Sequence, residues 1–173
     1  MAEISHGKND PFNDKKERTA LRTFLAENKS FQDFWTDYFG NPKNTTIKDD
    51  PLGKYKVDLG IVDRDSESQI HGLIEVDVFN SWEEKFPPNY KKFHVLERKL
   101  RYFQETDYKY LTCTFNRDHT QMCCTTKDNI EKCLDIYGIT NMWIPKIQEY
   151  DLILRCPLDE NILWFRNWNA KSS

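Results

Sequence analysis

At 173 residues with 31% charged residues and a net charge of -3, the chain is long enough to bury a core without disulfide staples and too acidic overall to coat nucleic acid through bulk charge. A mean hydropathy of -0.80 with 14% aromatic residues describes a polar surface around a well-supplied core and excludes a wholly disordered chain. No run approaches the roughly 18 apolar residues of a membrane helix, and Met1 to Lys8 lacks a signal-peptide core, so no membrane association is expected.

The five cysteines include the adjacent Cys123 and Cys124, and an odd set of this kind fits reduced, buried thiols in a cytoplasmic setting better than a disulfide framework. Zinc ligation by Cys113, His119, Cys123 and Cys133 lacks a Cys-x-x-Cys knuckle, and neighbouring strand residues point to opposite faces.

A single domain over residues 1–173 is expected, with a short polar leader over residues 1–11. Asn13 or Asp14 can cap a helix carrying Ala20, Leu21, Phe24 and Leu25 at helical spacing. Ser30 can cap a second with Phe31, Phe34, Trp35 and Tyr38, stopped by Gly40-Asn-Pro. That aromatic stripe suits packing onto a sheet better than nucleotide stacking. Residues 41–53 read as a polar loop. Strands are expected at 55–63 and 70–79, joined as an antiparallel hairpin. A strand running into a helix is expected over Val95 to Phe103, and further strands at 108–115 and 121–126. A helix opens at Thr126 and closes at Gly138. The apolar segments 151–157 and 162–165 then cover an edge or a face. The sum is an α+β fold with a central mixed sheet flanked by helices.

Acids on apolar strands need a reason, because Asp and Glu are depleted there and costly to bury unless paired or bound to a cation. Alternation puts Glu75 and Asp77 on one face with Leu73, and pairing with the preceding strand brings Asp58 to the same face. Clustered carboxylates repel unless protonated or bridged, and Mg²⁺ or Mn²⁺, which take hard oxygen ligands, are the natural bridge. Between Lys85 and Arg101 the cations Lys85, Lys91, Lys92, Arg98, Lys99 and Arg101 face a single acid, Glu97, so this segment can meet phosphate.

In their order, Asp58 followed by Glu75-Val76-Asp77 resemble the PD-(D/E)xK nuclease superfamily, over roughly residues 54–103. The chain departs from that pattern in two places: Val57 stands at the Pro position and Asp77 at the Lys position. Gly72-Leu-Ile-Glu-Val-Asp77, Trp82, Phe86-Pro87, His94-Val95 and Arg98-Lys99 also look like small nuclease-like proteins encoded by phages. The resemblance implies a restriction-endonuclease-like core, hydrolysis of phosphodiester bonds in DNA or RNA, and a host-cytoplasmic setting if the chain is phage-encoded. It implies Asp58, Glu75 and Asp77 as catalytic metal ligands, with Lys99 from the following helix supplying the missing lysine. Lys91, Lys92, Arg98 and Arg101 would hold the nucleic-acid backbone, DNA being the first expectation. An acid from the first helix joins such sites in the superfamily, and Glu17 and Glu27 are the candidates.

Two other readings use the same residues differently. A non-catalytic nucleic-acid- or protein-binding module of the same fold would treat Asp77 as the mark of a lost lysine. An assembly protein, a homodimer for instance, would use Trp143, Trp164, Phe165 and Trp168 at an interface, where aromatic residues are enriched.

Overall fold

The computed structural model describes residues 15–54, 56–87, 92–104, 106–145, 148–158 and 162–166. The expected leader, Lys91 and Trp168 lie outside them.

Two helices open the described chain. Helix α1 (Lys15–Glu27) buries Leu21 and Phe24, one helical turn apart, and α2 (Lys29–Phe39) buries Phe31 and Phe39. The cap of α2 is Asn28 rather than Ser30. The Asn28 N–H closes α1 on the Phe24 carbonyl at 2.8 Å while its Oδ1 accepts the Phe31 N–H at 2.9 Å. One residue thus ends the first helix and starts the second, which draws Ser30 into the first turn. Gly40, at φ 77°, provides the left-handed step that stops α2.

A six-stranded sheet follows the order β1-β2-β3-β5-β6-β9, built from β1 (Thr45–Asp49), β2 (Leu59–Asp63), β3 (Ile70–Phe79), β5 (Lys109–Asn116), β6 (Gln121–Thr126) and β9 (Leu163–Arg166). It is mixed, because β3 and β5 run parallel while every other neighbouring pair is antiparallel. The parallel pair requires a crossover. That crossover contains β4 (Lys92–Leu96) and α3 (Glu97–Gln104), the expected strand running into a helix. Helix α4 (Lys127–Tyr137) is capped by Thr126 and closed at Gly138, as its sequence predicts.

Three further expectations are corrected. The presumed loop 41–53 contains β1, which pairs along the outer side of β2 and is only half buried, so its polar Thr-Thr-Ile-Lys-Asp sequence carries little strand signal. The strand predicted from residue 55 starts at Leu59, because the Asp58 side chain bonds the neighbouring backbone where the strand would otherwise continue. Strand β7 (Ile139–Ile144) was not foreseen; it joins β8 (Glu149–Pro157) and β4 in a three-stranded sheet of order β4-β8-β7.

The six-stranded sheet has cores on both sides, which explains why β2, β5 and β6 read as nearly continuous apolar runs. On one side α1 and α2 pack against Leu59, Ile61, Ile74, Val76, Leu111 and Phe115; Trp35 and Phe165 belong to this core, where the Phe31 and Phe165 rings lie 5.0 Å apart. On the other, Leu73, Tyr110 and Cys123 meet Trp82, Val95, Leu100, Ile130 and Leu154. All five cysteines are buried and none is in a disulfide, with Cys113 and Cys123 in opposite cores. Trp143 and Trp164 are exposed.

Gly72 lies in close contact with Phe39 of α2. A Cβ there would lie 2.5 Å from the Phe39 ring, closer than real Cβ contacts permit. Gly72→Ala is expected to cost about 1–3 kcal/mol through overpacking, read as a lower denaturant midpoint. An unchanged midpoint would show that the Phe39 ring yields without strain.

Candidate active site

The site forms where β2 begins beside the middle of β3. Leu59 is paired with Ile74, so the preceding residue, Asp58, comes level with Glu75. Both acids are buried, at 7% and 6% exposure, in a protein whose other carboxylates mostly face solvent. They are tied to each other's strands: Asp58 Oδ2 accepts the Val76 N–H at 2.9 Å, and the Asp58 N–H points to Glu75 Oε2 at 3.4 Å.

Two cations approach from different elements. Lys99 extends from the first turn of α3 to form an ion pair with Glu75 Oε1, and its Nζ also donates to the Lys56 carbonyl at 2.9 Å. Arg18 comes from α1, placing Nη2 3.3 Å from Asp58 Oδ1 and 3.0 Å from Asp50 Oδ1. Beyond it, Arg22 reaches Asp49 at 3.2 Å. Acidic and basic side chains therefore alternate from Glu75 outward, each carboxylate meeting a fixed positive charge.

Tyr110 supplies the remaining contact. It lies beside Leu73 in the parallel β3–β5 register and points its hydroxyl to Glu75 Oε2 at 3.4 Å. Burial, reinforced by the charges of Glu75 and Asp58, holds the phenol well above its ordinary range, so at neutral pH it remains a hydrogen-bond donor. Burial also raises the Glu75 carboxyl above its usual value; Lys99 and the hydrogen bonds from Asp58 pull the other way without cancelling it. Thr112, the β5 neighbour of Glu75, is buried with a hydroxyl that has no hydrogen-bond partner in the described structure.

Of the residues singled out from the sequence, Asp58, Glu75 and Lys99 come together. Asp77 shares the Glu75 face by alternation but is exposed, and its Oδ1 accepts the adjacent Val78 N–H at 2.8 Å. Among the described residues no group of three or more His, Cys, Asp or Glu side chains is disposed to hold a metal ion. Glu17 turns to His119, with 2.9 Å between carboxylate and imidazole, and the α1 side chain that reaches the acids is Arg18. Arg101 is exposed and pairs loosely with Glu97 at 3.7 Å; Lys92 lies on β4 and Arg98 on α3.

Arg18, Tyr110 and Thr112 are absent from the sequence reading. Arg18 is one cation among several on α1, and nothing local separates it from Lys15, Lys16 or Arg22. Tyr110 and Thr112 become neighbours of Glu75 only through the parallel pairing of β3 with β5, a long-range contact that strand patterning does not encode.

No family model and no curated protein matches the sequence. Among solved structures the chain resembles a nuclease from a fusselovirus at 11% identity, covering 79% of this chain and 82% of that one with a TM-score of 0.45. A superposition that loose does not establish a common fold. No described helix is long and apolar enough to cross a membrane.

Proposed function

We propose that the protein is a divalent-metal-dependent nuclease, with Asp58 and Glu75 holding Mg²⁺ or Mn²⁺ and Lys99 as the catalytic lysine. The observation that carries this reading is the convergence of Lys99, delivered from a helix, on Glu75 beside buried Asp58. Mg²⁺ is ordinarily bound through one or two carboxylates plus waters and substrate phosphate, so the two hard carboxylates suffice in number, and the ion would displace donors that now meet their oxygens, Arg18 on Asp58 and Lys99 on Glu75. Asp77, exposed on the same face, is available to orient an outer-sphere water.

The bound ion would supply Lewis acidity and an acidified water. The protein side chains do the rest. Val76 N–H fixes one oxygen of Asp58, and the Tyr110 hydroxyl orients Glu75 so that its second oxygen faces Lys99. The Lys99 ammonium, anchored on the Lys56 carbonyl, would stabilise negative charge on the phosphate undergoing attack. Arg18 keeps Asp49 and Asp50 as counter-charges when Asp58 engages a cation. Lys91, Lys92, Arg98 and Arg101 would contact the nucleic-acid backbone, giving a salt-sensitive interaction with little sequence preference.

Calorimetric titration of metal-free protein with Mn²⁺ tests the ligand assignment. Saturable binding is expected in the wild type and its loss in Asp58→Asn. Absence of Mn²⁺ affinity in the wild type would instead select the non-catalytic binding module, with Arg18 and Lys99 as permanent structural counter-ions.

A further inference from the structure

A cavity lies on the same side of the six-stranded sheet as Glu75. It has a volume of about 280 Å³ and is walled by Trp82, Phe86 and Trp164, with Gln121, Glu84, Lys85 and Arg166 around them. The three rings form a corner: Trp82 and Phe86 are 5.3 Å apart, and Trp164 stands nearly perpendicular to both at 5.8 and 5.7 Å. Trp164 is 48% exposed, so one ring face remains open to a ligand.

Its polar features are unusual for a packing defect. Gln121 is only 6% exposed and lines the cavity; its carboxamide has no hydrogen-bond partner among the described residues but keeps some solvent contact, and its backbone N–H donates to Asn116 Oδ1. The Trp82 indole N–H, in the same wall, is buried and unpartnered as well. Buried polar groups are normally satisfied, and a carboxamide offers a donor and an acceptor side by side.

Sheet register connects the cavity with the acids. Asp77 pairs with Thr114, Thr114 with Cys123, and Cys123 with Trp164, so these four side chains occupy one transverse row on one face. Trp164 is three strand spacings from Asp77, on the order of 14 Å.

We infer that this cavity binds one unpaired nucleobase of a single-stranded nucleic acid, whose backbone stays outside the row because Thr114 and Cys123 are buried. This rests on the nuclease reading and narrows its substrate to single-stranded or frayed nucleic acid. The rings supply stacking surface, Gln121 meets the donor and acceptor pattern of a base edge, and Lys85 and Arg166 lie where the adjoining phosphates would pass. The volume, at the lower end for ligand pockets, suits a single base. Inside a duplex a base has its edge paired and its faces stacked, so it cannot enter.

The test is fluorescence anisotropy with a labelled oligothymidylate and a blunt duplex of equal length, both in EDTA so that cleavage plays no part. Trp164→Ala, at an exposed position, is expected to weaken single-strand binding about fivefold or more, with Trp164→Phe restoring most of it and duplex binding unchanged. Gln121→Ala should weaken the single strand also. Equal single-strand affinity in wild type and Trp164→Ala, no single-strand binding by the wild type, or an equal loss on the duplex would overturn the assignment. A Trp164-dependent interaction without Mg²⁺- or Mn²⁺-dependent cleavage would uphold the base site and refute the nuclease reading.

Discussion

Glu75→Gln is expected to reduce Mg²⁺-dependent phosphodiester cleavage by about a hundred- to a thousandfold, the range for removing one preorganised group that stabilises developing charge. Glutamine preserves the shape and leaves an oxygen to accept from Tyr110 and from the Asp58 N–H. What disappears is the negative charge that holds both the ion and Lys99. The loss should therefore fall on turnover and metal affinity, with the far-ultraviolet circular dichroism unchanged. Cleavage at wild-type rates by a folded Glu75→Gln protein would remove Glu75 from the mechanism.

Lys99→Met should produce the largest loss of stability among the site variants. It strands the buried Glu75 carboxylate, and breaking such a pair typically costs about 3–5 kcal/mol because the remaining charge is uncompensated. Glu75→Gln should cost less, since the charge it leaves behind sits on a lysine that retains solvent and the Lys56 carbonyl. The two variants also differ in their pH dependence. Because the folded-state pKa of Glu75 is raised, the native protein holds its proton more tightly than the unfolded chain does, and stability falls as pH rises through the folded value. Removing Lys99 takes away the main influence that lowers this pKa, so the window in which stability is lost extends further upward. Metal-free Lys99→Met should consequently recover much of its deficit when the pH drops below the ordinary carboxylate value of 4.5. Denaturant titrations at neutral and acidic pH provide the check. A deficit independent of pH would point to lost packing of the lysine stem, and Glu75→Gln combined with Lys99→Met should then show no rescue.

Features encoded locally were legible in the sequence. Thr126 and Gly138 bracket α4 because cap chemistry is set by one residue at each end, and the alternation of β3 placed Glu75 and Asp77 on one face. The β2–β3 hairpin brought Asp58 level with Glu75, across a bulge between Ile61 and Val62 that the sequence does not announce. Tertiary contacts were not legible. Strand β1 has a polar sequence and forms because β2 offers it an open edge; Ser30 was displaced as a cap by Asn28, which serves two helices at once. Arg18 reaches Asp58 across 40 positions, and Tyr110 reaches Glu75 across 35. Neither approach has a local signature. Lys99 was within the reach of sequence reasoning only through the resemblance, in which Asp77 stands at the lysine position and the following helix supplies a substitute.

The Asp58 and Glu75 pair also shows why composition alone understates a site. Each acid taken singly would be an ordinary salt-bridged carboxylate. Their shared burial, their bonds to one another's strands and the convergence of Lys99 make an arrangement that costs desolvation energy and gives in return a compact, oriented set of charges.

The most direct measurement is cleavage of end-labelled single-stranded and duplex DNA and RNA by purified protein with Mg²⁺ or Mn²⁺, beside an EDTA control and the Asp58→Asn and Lys99→Met variants. Metal-dependent cleavage by the wild type, abolished by EDTA and reduced at least a hundredfold in folded Asp58→Asn, is the predicted result. No cleavage of any substrate with either ion, or cleavage that persists in both variants, would contradict a nuclease centred on Asp58 and Glu75.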